Sequence, residues 1–391
     1  MKKLISIVLV LAMMLLMVAC TANTNKEDTN EILIGCYMPL TGPNAGSGIC
    51  AVQGIEMAFE EINAAGGIDG KTLKLITYDS TGTTEGAAKA ATRLIEQDGV
   101  KVIAGSFLSS SVLAVSSLTE RAKVLHVGTG TGATWTNIGL DYTYRATANG
   151  NLPVATMMEQ LVDCGKTSIA LISVASEYGQ SGHDAIIADC GKHNVEVKAD
   201  IIYQSAETDY TGVISKALSA EADTIVVYGL GGELALLSKQ LRQNGYDDLI
   251  FTIEGGANSE MFTVAGDASN GVVFSAAYVI PATPEEGATA QIQDILTRYM
   301  QKFNEMPYSD CFYRGYDQGR LIAEALKNCE DVNDGESIMT AFRALSGIEL
   351  LGGSFDYTNA TGDGLSSANK WMIMDGKIAV YNKDTLLSWS K

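Results

Sequence analysis

Histidine, proline and tryptophan are scarce in this 391-residue chain, at three, six and three residues, and the first shortage excludes the most. Of His126, His183 and His193, the first lies inside an apolar run and the last beside a turn, so an enzyme built on this chain has no obvious general base. HExxH, CxxC and His-rich spacings are absent, and neither a metal centre nor a thiol redox pair is expected. GxxxxGKS is missing, and GSFLSSS lacks the glycine spacing of a nucleophile elbow. The glycine-rich GTGTG at 128–132 follows the fourth predicted strand rather than the first, which removes the dinucleotide reading, so no cofactor is expected. Asp247-Asp248 and Glu285-Glu286 are adjacent acids in turn-like segments, read as solvated surface rather than as the paired carboxylates of a hydrolase. Positive charge is short too: 27 basic side chains stand against 46 acidic ones, a formal charge of −19. With no basic cluster, nucleic acid and anionic lipid surfaces are excluded as partners.

Long apolar runs are confined to one place. MKKLISIVLVLAMMLLMVAC opens with Lys2 and Lys3, continues uncharged from Leu4 to Val18 and ends in Ala19-Cys20, the layout of a secretory signal and shorter than a spanning helix. MVAC resembles the lipobox of bacterial lipoproteins, which implies cleavage before Cys20 and lipid on that cysteine. Residues 1–20 are thus expected to be a lipoprotein signal peptide and 21–30 a polar tether. The remainder would lie outside the cytoplasm, lipid-anchored to the cell membrane. Without Lys2 and Lys3, 25 of the 27 basic side chains face 46 acidic ones, a formal charge of −21. Six cysteines remain after the leader, and export permits disulfides. Cys164 and Cys190 each stand where a predicted helix gives way to a strand, a candidate pair. Cys311 and Cys329, if on one helix, are separated by about 27 Å and cannot pair.

From residue 31 the chain alternates short apolar runs with helical stretches: ILIGCYMP, KLITYDS, KVIAG and VLHVGTG as strands, IEMAFEEINAAGG, TEGAAKAATRLIEQDG and SSVLAVSSLTERAK as helices. This predicts an open α/β fold with a parallel sheet covered on both faces. A second series of the same kind runs from LPVATMMEQLVDCG to DLIFTIEGG, and two layered domains suit the length better than one large sheet. After GVVFSAAYVIPATP, three helical stretches follow without obvious strands between them, as if the chain returned to complete the first domain.

Taken in order, IGCYMPLTGPNAGSG, GIEMAFEEINAAGGIDGKTLKLITYDS, VKVIAGSFLSSSVLAVSSLTERAKVLHVGTGT, EYGQSG, IEGGANSEMF and GGSFDYTNATGDG resemble the solute-binding proteins that serve ATP-driven importers, specifically the branched-chain amino-acid (Leu/Ile/Val) binding family. The resemblance covers residues 31 to 380. It implies a type I periplasmic binding protein: two Rossmann-like lobes with parallel-core sheets, joined by three crossovers, holding ligand in the cleft between them. Lobe 1 would be 31–150 plus 277–355, and lobe 2 would be 151–276 plus 356–391. The expected function is a monomeric extracytoplasmic receptor, not an enzyme, that delivers a small organic ligand, an amino acid, to an ABC permease. The other reading is a sensing module that signals to a separate membrane partner.

The resemblance also assigns residues. Ser109, with the backbone of Phe107 and Leu108, would hold a carboxylate. This agrees with elementary chemistry, since a helix N-terminus offers unpaired N–H groups and a serine adds a donor without charge. Gly132 falls at the family's usual hydroxyl position with Thr131 beside it, and backbone at Gly130 could accept from an ammonium. Tyr178 matches a tyrosine that closes over the ligand, and Glu254 matches an acid that pairs with its ammonium. Ser111 is a further hydroxyl candidate. Ser47 and Gly231 stand where relatives carry aromatic walls, leaving room for Trp135 and Phe107 to enter the pocket.

Overall fold

A computed structural model describes residues 30–136, 138–366 and 368–389. The expected signal peptide, Cys20 and all but the end of the expected tether lie outside these. No helix among the described residues is long and apolar enough to cross a membrane.

Among the described residues, fifteen strands form two sheets. The first is ordered β11-β12-β13-β5-β4-β3-β1-β2, from β1 (Glu31–Met38), β2 (Thr72–Asp79), β3 (Val102–Ala104), β4 (Leu125–Gly128), β5 (Thr143–Ala148), β11 (Ile348–Leu350), β12 (Gly353–Phe355) and β13 (Asp363–Leu365). The second is ordered β15-β14-β10-β9-β8-β6-β7, from β6 (Ser168–Val174), β7 (Glu196–Tyr203), β8 (Thr224–Tyr228), β9 (Ile250–Thr252), β10 (Val272–Ala276), β14 (Asn369–Met374) and β15 (Lys377–Val380). The inner strands pair in parallel. Of these, β3 (VIA) and β8 (TIVVY) are short, rich in β-branched residues and buried along their whole length, as strands covered on both faces must be.

The covering helices are α1 (Ala45–Ala64), α2 (Thr84–Glu96), α3 (Ser109–Ala122), α4 (Asn151–Asp163), α5 (Glu177–His193), α6 (Thr211–Ser219), α7 (Gly231–Gln243), α8 (Ala290–Phe303), α9 (Cys311–Asn328), α10 (Gly335–Arg343) and α11 (Lys383–Trp389). Their ends follow capping chemistry. Thr83, Ser176 and Thr289 each accept from a backbone N–H three residues on, at 3.0, 3.1 and 3.2 Å. Helices α8 to α10 bring Leu296, Tyr299, Phe312 and Phe342 into the core of the first sheet. There α9 meets α1 backbone to backbone: a Cβ on Gly54 would lie 2.1 Å from the Phe312 carbonyl oxygen, and one on Gly315 2.1 Å from that of Ala51.

The chain passes between the two layers after β5, after β10 and after β13. The last passage comes later than the residue 355 read from the sequence, because β13 pairs in parallel with β5 and so still belongs to the first sheet. Buried Arg145 ties two passages together, its Nε donating to Asp363 Oδ1 at 2.7 Å while Asn149 donates to the other carboxylate oxygen at 2.9 Å. The cysteine pairing expected from the sequence is corrected: Cys164 and Cys190 are free thiols. Cys164 Sγ is turned to the Tyr381 hydroxyl at 3.4 Å.

Candidate functional site

In both sheets the strand order reverses beside the first strand of the series, between β1 and β3 and between β6 and β8. Open α/β sheets bind ligands outside the carboxyl ends of strands at such points. Here both points open on one cavity of about 460 Å³, lined by loops that follow β1, β3, β6, β8 and β9 and by the start of α9, within the size range of small-molecule sites.

Five helices begin at this cavity. Acids stand in the first turns of α5 (Glu177) and α7 (Glu233) and at the cap of α9 (Asp310), whereas α1 and α3 have none in theirs, and the N-cap of α3, Leu108, provides no side-chain acceptor. The unpaired N–H groups of the first turn of α3 and the positive end of its dipole therefore face the cavity. Ser109, 1% exposed, does not cap its own helix. Its Oγ accepts from the Gly132 N–H at 3.0 Å, which leaves the hydroxyl proton free to donate elsewhere. A carboxylate is the group this end would hold.

Across the cleft, Glu254 heads the short turn after β9. Thr131 Oγ1 donates to its Oε1 at 2.5 Å, a hydrogen bond from one layer to the other. Behind it stands a buried ion pair that the sequence reading missed: Arg314 Nε and Nη2 donate to Asp310 Oδ2 at 2.7 and 2.5 Å, and Nη1 to the Thr129 carbonyl at 3.3 Å. Burial raises the proton affinity of Glu254, and Arg314 and Thr131 oppose the rise. Asp310 is raised by burial in the same way, again opposed by Arg314. Burial works against the charge on Arg314, but Asp310 and Glu254 more than restore it. Two carboxylates around one guanidinium leave one negative charge, the complement of an ammonium.

Phe107, Leu108, Ser109, Thr131, Tyr178 and Glu254 line the cavity, as do Ser47 and Gly231. Four other expected residues do not. The Gly130 carbonyl is taken by the Arg145 guanidinium, which leaves a cation where an ammonium was expected. Gly132 acts from behind, through Ser109. Trp135 is wholly buried under Arg145, 3.9 Å from guanidinium carbon to ring centroid, and enters no pocket. Ser111 is buried within α3, away from the cavity. Besides Arg314 and Asp310, the sequence reading overlooked Asn258 and Glu260, although both lie inside the segment IEGGANSEMF. Two histidines are no better placed for catalysis than expected. Burial pushes His126 down to about 3, and His183 is held between Asp184 and Asp200 on the surface.

A sequence profile described as periplasmic binding protein matches residues 31–374. The chain belongs to the periplasmic binding protein family. A Leu/Ile/Val-binding protein homolog of Brucella melitensis is 29% identical over 355 residues, covering 89% of this chain and 93% of that one. The leucine-binding protein LivK of Thermotoga maritima superposes with a TM-score of 0.81 at 22% identity, over 90% of this chain and 98% of that one. A type 1 periplasmic binding protein from Bordetella pertussis does so at 0.80 and 18%, over 90% and 99%. This periplasmic binding protein thus has the type I fold and is related to the Leu/Ile/Val-binding receptors of ABC importers. Its role is that of an extracytoplasmic receptor for a small ligand, working with an importer and not as an enzyme.

Proposed function

We propose that the cavity captures a free α-amino acid and that the receptor, a monomer held at the membrane by lipid on Cys20, passes it to an ABC permease. One observation carries the ligand assignment: an anion-accepting helix start with a free serine proton faces, across the cleft, a buried carboxylate in excess of its guanidinium. An amino-acid head group is an anion and a cation about two bonds apart, and capture of both at once requires the two layers to meet. The names of the relatives, Leu/Ile/Val-binding and leucine-binding, support the same ligand class.

Titration calorimetry of the purified mature protein against the free amino acids tests this. The expected result is saturable binding of at least one of them, weakened roughly 100-fold or more in Glu254→Gln, on the scale of removing one partner of a buried ion pair. Ser109→Ala is expected to weaken it by roughly tenfold, one hydrogen bond to a charged group. Undiminished affinity in E254Q would overturn the assignment.

A further inference from the structure

Once an amino-acid head group is in place, the cavity still has unmet charge. Beyond Glu254, Asp310 and Arg314 its lining holds Glu207, Glu233 and Glu260 and no further basic residue. Glu233 is fully employed: it accepts from the Tyr203 and Ser205 hydroxyls at 2.7 Å each and from the Ala206 N–H at 2.9 Å, which fixes the rim of the cleft. Glu207 accepts from the Gln204 N–H at 3.3 Å on that rim.

Glu260 differs. Its Oε1 accepts from the Tyr308 hydroxyl, but its Oε2 is buried without a hydrogen-bond partner, and it makes no ion pair among the described residues. Asn258, two residues earlier, is 9% exposed, lines the same cavity, and its Oδ1 is also buried without a partner. Both side chains lie against consecutive glycines at the start of α7: a Cβ on Gly231 would fall 1.8 Å from Asn258 Nδ2, and one on Gly232 3.5 Å from Glu260 Oε1. The absence of side chains at Gly231 and Gly232 thus makes room in this wall for the Asn258 amide and the Glu260 carboxylate, where an aliphatic ligand would need apolar surface. A buried acceptor left unpaired is costly, and a carboxylate more so than an amide. The group that complements such a carboxylate is a cation with N–H donors.

We propose that the compartment walled by Glu260 and Asn258 receives a second cationic group of the ligand, so that the receptor selects diamino acids over aliphatic ones. This rests on the amino-acid reading above and narrows it. Calorimetry at pH 7.5 with L-lysine, L-norleucine and 1,5-diaminopentane separates the two. In the unmodified protein L-lysine is expected to bind at least tenfold more tightly than L-norleucine, a comparison that needs no variant. In Glu260→Gln that ratio should fall by roughly tenfold or more, the loss of one charge-assisted hydrogen bond, with an unchanged melting curve by circular dichroism showing that the variant is folded. Norleucine binding as tightly as lysine, with dependence on Glu254, would overturn the second-cation proposal and leave the amino-acid reading standing. A folded E260Q that keeps the full lysine preference would do the same. If 1,5-diaminopentane binds as tightly as lysine, the carboxylate is not being read and both fall.

Discussion

Glu254 shows how one carboxylate is prepared for a charged guest. Buried beside Arg314 and accepting from Thr131, it has a pKa above its ordinary 4.5, because burial outweighs both neighbours. It can pair with an ammonium only when ionised. Affinity for an amino acid should therefore fall as pH drops through that raised pKa, with the fall absent in E254Q. A calorimetric pH series run downward from the alkaline side reads this directly. Glu254 and Ser109 were legible in the sequence because each sits in a short stretch whose position, at the carboxyl end of a strand, is readable. Arg314 and Asp310 were not. They belong to the helical run of α9, where an i,i+4 acid and base look like an exposed pair, and only packing reveals them as 6% and 3% exposed. Their signal was the apolar company they keep in DCFYRGY. Trp135 was misplaced for the converse reason: an aromatic residue near a loop gives no sign that a buried guanidinium will claim its ring face.

Among the elements, the contact of α1 with α9 depends on positions where no side chain fits. Gly54 and Gly315 let the two backbones touch, and α9 in turn delivers Asp310, Cys311 and Arg314 to the cavity. Gly315→Ala would force the helices apart, with an expected cost of about 2 kcal/mol or more, typical of overpacking a filled interior. Urea denaturation should show the loss as a lower midpoint at unchanged slope, and ligand affinity should drop as Arg314 shifts. Element identity was largely readable: the inner strands and the helices between them announce themselves by length and period. The short strands β11, β12 and β13 did not, since three residues each, around Gly352, Gly353 and Gly364, carry no alternation to detect. That is why the return to the second layer was placed too early.

The whole molecule also carries a titratable group outside the cavity lining. Asp317, buried on α9, accepts from the Leu351 and Gly352 N–H groups at 3.1 and 2.8 Å and from the Tyr278 hydroxyl at 2.9 Å, joining the second passage between layers to the β11–β12 hairpin. Burial pushes its carboxyl up to about 7 from 3.8, although these donors pull the other way. Between those two values the native protein holds a proton that the unfolded chain has released. Its contribution to stability is therefore complete below about pH 4, declines as pH rises to 7 and is flat beyond. Thermal unfolding of the ligand-free receptor should show this decline between pH 5 and 8, and Asp317→Asn should remove it.

The pairing of β13 with β5 bears on synthesis as well as on architecture. Until residues 363–365 are available, β5 is an edge with one rail of amides and carbonyls unmatched, a template for joining another chain. A nascent or truncated polypeptide ending between residues 277 and 362 would already have every strand of the second sheet except the last two, yet could not close the first. Premature termination there should thus yield aggregates rather than a half-receptor, and the time at risk is set by how long residues 149–365 take to arrive.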